Sequence, residues 1–539
     1  MNGVLVIGAA HGLGGAAERV GVAAAALLAA VAVLGRPGHV SERARSLAML
    51  GALVLTPVLL VADIWNTTQM HSLRHRPAVA LLAAGLGVAL VGALALVVHR
   101  RPAAIALLAV GALPFRLPIS TGGATSNLLI PLYVVVGAGA LAHLVPRVRG
   151  VASATGAGEA VAPATRLEWL LMASVALYAV QAAYSTDFSR ALEQVVFFYV
   201  PFALLFALLR RVRWTPELLL ACFAVVVALA AIFAGIGFVE YSGRHLLLNP
   251  KVVAANQFDN YFRVNSLFFD PSIYGRFLGL VMIAATVAVL WSERRRDVLI
   301  GAAVLLWLLG GLITSFSQSS ITALLVGLAV LAAFRWRVRP TLYACAGLLA
   351  VAALFLLVAP RGAHVSVAGS RSANNATSGR YGLVSNGLRL FADRPLQGWG
   401  PGSFSLQYTR HNAVTAQNAT SASHTIPITV AAEQGVVGLA LYLALLGAAF
   451  LTLFAPGMGR SPARIAIAAA FAALVVHTLT YADFLEDPMT WTLLGIGVAL
   501  AEGRRRREPQ SSTAEHDPVL SGGVGSLRAG PVGPGAAAG

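Results

Sequence analysis

The chain has 539 residues, of which 58% are hydrophobic and 11% charged, and it carries a net charge of +17. A charged fraction so far below the roughly 25% of soluble domains excludes an ordinary globular protein. The positive balance does not indicate nucleic acid as a partner. The 39 basic residues include one lysine, Lys251, and the arginines gather on alternate short connections between apolar runs.

Apolar runs of about 17–25 residues recur, each long enough to cross a hydrocarbon core about 30 Å thick. They lie near 19–35, 47–64, 78–98, 103–119, 127–145, 167–183, 193–210, 216–238, 272–291, 297–313, 319–335 and 340–359. After a polar interval, three more follow at 427–454, 463–481 and 487–502. The expected fold class is therefore all-α, a polytopic transmembrane helical bundle of about 12–15 spans with one long extracytoplasmic loop. Met1–Gly15 lacks the basic start of a signal peptide and is read as part of the chain.

Arginine-bearing connections such as Arg100/Arg101, Arg210/Arg211/Arg213, Arg294–Arg296 and Arg504–Arg507 belong in the cytoplasm by the positive-inside rule. The C-terminus is then cytoplasmic. The outer connections become Ser120–Ser126, Tyr184–Arg190, Val239–Asp270, Thr314–Gln318, Pro360–His424 and Ala482–Asp487. This divides the chain into a transmembrane region 1–359, an extracytoplasmic loop 360–424, C-terminal transmembrane helices 425–502 and a Gly/Pro/Ala-rich, disordered cytoplasmic tail 503–539. Gly150–Thr165 reads as a small-residue linker. No internal repeat is visible, which disfavours a secondary transporter.

A connection of about 65 residues is unusual in so apolar a chain and points to chemistry at the membrane surface. Arginines there suit phosphate or pyrophosphate oxygens, which a guanidinium grips in bidentate fashion. Arg389 and Arg394 are assigned to lipid headgroups instead. His424, where the loop re-enters the membrane, is placed to take a proton from a hydroxyl nucleophile, and His411 is the competing base. Arg263 precedes a span. Arg276 lies about one turn inside it and needs a partner, for which Asp270 is the nearest candidate. Asp270-Pro271 also reads as a helix cap, and Tyr274 stands between the two charges. Ser317, Gln318 and Ser319 form a hydroxyl-rich tight turn; Arg116 and the acidic Asp483, Glu486 and Asp487 are further cavity candidates. No HExxH, CxxC or P-loop occurs, so neither metal nor nucleotide cofactor is expected.

The segments FRVNSLFFDPSIYGRF, TSFSQSS, SGRYGL…LFADRPLQGWGPGSF and SHTIPITVAAEQGVVGLALY follow one another between Phe262 and Tyr442. This ordered set resembles the O-antigen ligase / Wzy-type polysaccharide polymerase superfamily of bacterial membrane proteins. ALPFRLPISTGGATSNLLIPLY and YSTDFSRAL resemble it less specifically. The resemblance implies a metal-independent glycosyltransferase of the bacterial plasma membrane, acting at its outer leaflet. It would move a saccharide from an undecaprenyl-diphosphate carrier to an acceptor hydroxyl on a saccharide, lipid or protein. By the same likeness Arg263 and Arg380 hold the diphosphate and His424 activates the acceptor, with Trp399 of Gly398–Gly402 among the substrate-facing residues. Two departures stand out. Ser317-Gln318-Ser319 replaces a Ser-Arg-Gly hairpin, leaving Arg276 as a substitute charge, and His424-Thr425 replaces a His-Asn pair. A transporter or flippase of lipid-linked glycan, or a non-catalytic membrane scaffold, would share the same polar outer face.

Overall fold

A computed structural model of the chain describes residues 2–34, 40–64, 75–121, 124–148, 164–247, 262–347, 380–412, 423, 425–455, 461–481 and 484–505. Met1–Ala501 forms one compact unit, and Glu502–Gly539 a separate one. The architecture is helical. In chain order the first helices are α1 (Asn2–Leu34), α2 (Glu42–Ile64), α3 (Pro77–Arg100) and α4 (Ala104–Ala112). A hairpin of β1 (Leu117–Thr121) and β2 (Ala124–Leu128) follows, then α5 (Ile130–Val148), α6 (Arg166–Ala182) and α7 (Phe188–Gln194). A π-helical turn (Val195–Tyr199) joins α7 to α8 (Val200–Arg210). Beyond these lie α9 (Pro216–Gly243), α10 (Pro271–Leu290), α11 (Arg295–Thr314) and α12 (Gln318–Trp336). The series ends with α13 (Arg380–Asp393), α14 (Phe404–Asn412), α15 (Ile426–Leu453), α16 (Pro462–Thr480) and α17 (Pro488–Arg505).

Ten helices among the described residues are long and apolar enough to cross a membrane. With Ile130–Pro146 as a shorter apolar helix, the chain is a multi-pass membrane protein. The expected span 103–119 does not form as one element. Helix α4 stops after nine residues, and the chain turns into the antiparallel hairpin that pairs Leu117 with Leu128 and Thr121 with Ala124. Pro114 and Pro118, which lack an N–H to continue a helix, lie at that change. Of the expected span 340–359, residues 340–347 are helical and the remainder lies outside the described residues.

Helix starts follow local chemistry. Thr165 and Glu168 form a reciprocal capping box on α6, and Thr215, ahead of Pro216, accepts the Leu218 N–H for α9. Glu168 also pairs with the buried Arg210 of α8, tying two helix ends together. Helix α10 is buried without interruption over Pro271–Ile283. It packs against α9, α11, α12 and α16. Helix α15 bridges this group to α6 and α13.

Candidate functional site

The N-terminal end of α10 gathers polar groups from five elements. The strand-like approach is held by Val264 N, which donates to Thr314 O at 3.2 Å, and by Arg263 Nε, which donates to Ser315 O at 3.2 Å. Its bend is set by Glu240, a 1% exposed carboxylate at the end of α9. Glu240 accepts the Ser266 N–H at 2.7 Å and the Leu247 N–H at 3.0 Å, and Ser266 takes the left-handed conformation with φ 51°. Asp270 then caps α10, its Oδ1 accepting the Ser272 N–H at 2.6 Å.

The serine turn sits against this end. Ser317 caps α12, accepting the Ser320 N–H, and Ser320 Oγ donates to Ser272 O at 3.1 Å. Gly275 makes the approach possible, because a Cβ there would meet Ser320 Oγ at 2.8 Å. His477 of α16, fully buried, places Nε2 3.4 Å from Ser319 Oγ and 3.3 Å from Ser320 Oγ. Tyr274 is buried and reaches Phe233 O at 3.4 Å.

Arg276 is 2% exposed and its Nη2 lies 2.7 Å from Asp487 Oδ2. The expected partner, Asp270, is instead committed to the backbone of its own helix. Asp487, also an Asp-Pro cap, bonds the Met489 N–H with Oδ1 at 2.9 Å and still offers Oδ2 to Arg276. Among the described residues, Arg276 Nε and Nη1 are buried without hydrogen-bond partners, an arrangement poised to receive an anion.

The loop Arg394–Ser403 builds a second cluster beside the first. Gly398, Gly400 and Gly402 all have positive φ, which glycine adopts without steric cost. They let the chain run against Glu433, Ser185 and Ala191. Trp399 N donates to Ala432 O at 3.1 Å and Gly400 N to Glu433 O at 2.8 Å, inside a break in α15 at Gly435 (φ 68°, ψ −165°). The Glu433 carboxylate accepts the Phe404 N–H at 3.0 Å. Trp399 is folded into this scaffold: its indole donates to Leu390 O at 2.9 Å and Arg394 lies over its face at 4.0 Å. His411 lies 3.7 Å from Asp393 and edge-on to Trp399.

Glu486 and Asp487 connect the two clusters. Glu486 accepts from Gln194 Nε2 at 2.6 Å, next to the π-helical turn, while its neighbour holds Arg276. A small cavity of about 70 Å³ opens between α6, α15 and the segment Phe484–Glu486.

Of the expected residues, Arg263, Asp270, Tyr274, Arg276, Ser317 and Ser319 meet at the end of α10. Gln318 is exposed on the far side of its turn. Arg116 lies in charge reach of Tyr133, next to Phe115, which packs edge-on against Phe233. Arg380 is the first residue of α13, its side chain outside the described residues. His424 also lies outside them, but both its neighbours are placed. Ser423 N donates to Thr429 Oγ1 at 3.1 Å, and Thr425 Oγ1 to Leu479 O at 3.2 Å. Sequence reasoning missed His477, Glu240 and Glu433. His477 and Glu433 are ionisable residues within apolar runs, a signal that was available, whereas Glu240 lies just past the run 216–238.

Residues 302–443 match the O-antigen ligase family. Over that stretch the chain is similar to the O-antigen ligase family. The ligase-family segment takes in the serine turn, α13, the Gly398–Gly402 loop and α15 through its break, whereas Arg263, Arg276, His477 and Asp487 lie outside it. No curated protein matches the chain.

Proposed function

We propose that this protein transfers a saccharide from an undecaprenyl-diphosphate carrier to an acceptor hydroxyl at the extracytoplasmic face of the bacterial plasma membrane. The observation that carries the reading is the convergence of Arg263, the serine turn and the under-bonded Arg276 at one end of α10. A cationic, hydroxyl-rich helix end beside a segment similar to the O-antigen ligase family suits a diphosphate leaving group. In this reading residues 360–424 are the catalytic loop, set between transmembrane regions 1–359 and 425–502, with 503–539 as a cytoplasmic tail.

The chemistry needs little beyond positioning. The acceptor oxygen attacks the anomeric carbon while the bond from that carbon to the phosphate oxygen breaks. The acceptor proton passes to His424, and the electron pair leaves on the lipid diphosphate. Arg263, Arg276 and Arg380 offset the charge that develops there, which is the largest contribution such a site makes.

The test uses purified protein with undecaprenyl-diphosphate-linked oligosaccharide and candidate acceptors, in EDTA. Release of lipid diphosphate together with a longer or newly attached glycan is expected. Loss of His424 as general base should slow transfer by about 10²–10⁴-fold, and Arg263→Ala or Arg380→Ala by about 10²–10³-fold. Full activity of folded His424→Ala would remove the base assignment. Donor binding without bond formation would make the protein a carrier of lipid-linked glycan.

A further inference from the structure

One carbonyl fixes the proton order of the serine turn. Ser317, Ser319, Ser320 and His477 are all buried. Ser320 Oγ has a single proton and gives it to Ser272 O at 3.1 Å, in the first turn of α10. Its other polar neighbours must then donate to it. Ser317 Oγ does so at 2.8 Å and His477 Nε2 at 3.3 Å. Nε2 carries a proton both in the neutral tautomer that this contact selects and in the imidazolium, so the role does not depend on the charge of the ring. The same N–H is shared with Ser319 Oγ at 3.4 Å, and Ser319 passes its own proton to Ser317 Oγ at 3.2 Å.

The turn held by these hydroxyls is also the dock for Arg263. Arg263 Nε donates to Ser315 O and Val264 N to Thr314 O, both at 3.2 Å. Ser317 N donates to Ser315 Oγ at 3.3 Å, which joins the dock to the hydroxyl network. Between them Phe316 has φ 48°, a left-handed conformation that a bulky residue keeps only where its surroundings impose it. His477 stands on a firm support. Helices α12 and α16 pack closely, a Cβ on Gly327 meeting Ala473 Cβ at 3.3 Å, and Ala473 lies one turn before His477 on the same face.

We infer that His477 is a positioning residue for the donor diphosphate, acting through the serine turn on Arg263. The inference rests on the proposed transfer reaction, in which Arg263 meets that diphosphate. His477 touches no reacting atom. Its Nε2–H orders the hydroxyls, the ordered hydroxyls hold the turn, and the turn sets where Arg263 presents its guanidinium. Without that donor the Ser319 and Ser320 oxygens each lose a hydrogen bond inside the bundle, and the strained turn can relax. This role differs from that of a base. A base must take up and release a proton, whereas an N–H donor can be replaced by an amide. The amide nitrogen of Gln stands as many bonds from Cα as Nε2 of His; that of Asn reaches only the Nδ1 position.

The experiment measures binding of farnesyl diphosphate, a short prenyl diphosphate, to the full chain in nanodiscs, alongside the donor KM and kcat of glycan transfer. His477→Leu should weaken binding and raise the donor KM by about tenfold, the effect of one lost buried hydrogen bond, with kcat changed less. His477→Gln should recover most of that loss and His477→Asn little of it. Arg263→Ala/His477→Leu should bind no more weakly than Arg263→Ala alone, because the histidine acts through the arginine. A histidine that merely fills space would give losses that multiply and would not tell Gln from Asn. Folded His477→Leu binding the probe as wild type does, Asn recovering as much as Gln, multiplying losses, or a wild type that does not bind the probe each overturns the inference. Should His477→Leu fail to fold, the Gln and Asn variants carry the comparison. If probe binding follows the expected pattern but no glycan is transferred, the reaction fails and the positioning role remains. If glycan is transferred while probe binding is indifferent to His477, the role fails and the reaction remains.

Discussion

Asp487→Asn isolates the most exacting electrostatic contact in the molecule. Asn caps a helix as well as Asp does, so the Met489 N–H keeps its acceptor and α17 its start. What disappears is the negative charge 2.7 Å from Arg276, whose side chain is 1% exposed against 0% for Asp487. Leaving one buried charge without its counter-charge costs about 3–5 kcal/mol. Among the described residues Arg276 has no second anion to turn to, its Nε and Nη1 being without hydrogen-bond partners. The double variant Arg276→Met/Asp487→Asn removes both charges and keeps an unbranched apolar chain in the space, so it should recover most of the loss. The assay is equilibrium unfolding in mixed micelles on wild type, both single variants and the double variant. A coupling of roughly 3 kcal/mol between the two sites is expected. Asp487→Asn unfolding at the wild-type midpoint, or strictly additive single losses, would refute the reasoning.

Further expectations follow from the loop scaffold. Gly435→Ala places a Cβ onto Leu396 O at a residue with φ 68° and ψ −165°, so backbone strain alone should cost about 1–3 kcal/mol. Gly447→Ala in the same helix, where a Cβ meets nothing within 4 Å, should leave the midpoint unchanged or raise it; thermal unfolding of the pair checks this. Glu433→Ala leaves the buried Phe404 N–H without its acceptor and should cost about 1–3 kcal/mol, read as faster proteolysis within 394–412. Arg394→Gln removes the cation over Trp399 and should cost only about 0.5–1 kcal/mol, with tryptophan emission shifted and glycan transfer kept; a drop in transfer of tenfold or more would mean that Arg394 meets substrate.

Much of the architecture was legible in the sequence, because burial in lipid demands long apolar runs and self-satisfied backbones. The Asp270-Pro271 pair announced a helix start through local hydrogen bonding, and the serine turn and Arg276 announced a polar end to α10. The order of motifs from Phe262 to Tyr442 was sufficient to indicate the family. Tertiary structure alone decided which Asp-Pro carboxylate meets Arg276. Asp270 and Asp487 carry the same local signal and each spends Oδ1 on its own helix start, but only Asp487 stands where its Oδ2 reaches Arg276. The break at Gly435 lies in a run that reads as uninterrupted helix; it exists because Leu396 and Gly398 pack into it from a loop nearly forty residues earlier. The span expected at 103–119 failed because hydropathy registers apolar content and is blind to prolines that end a helix. Apolar patterning and capping are local and are written in the sequence. The choice of partner for a buried charge is a contest among distant groups, which only the folded chain resolves.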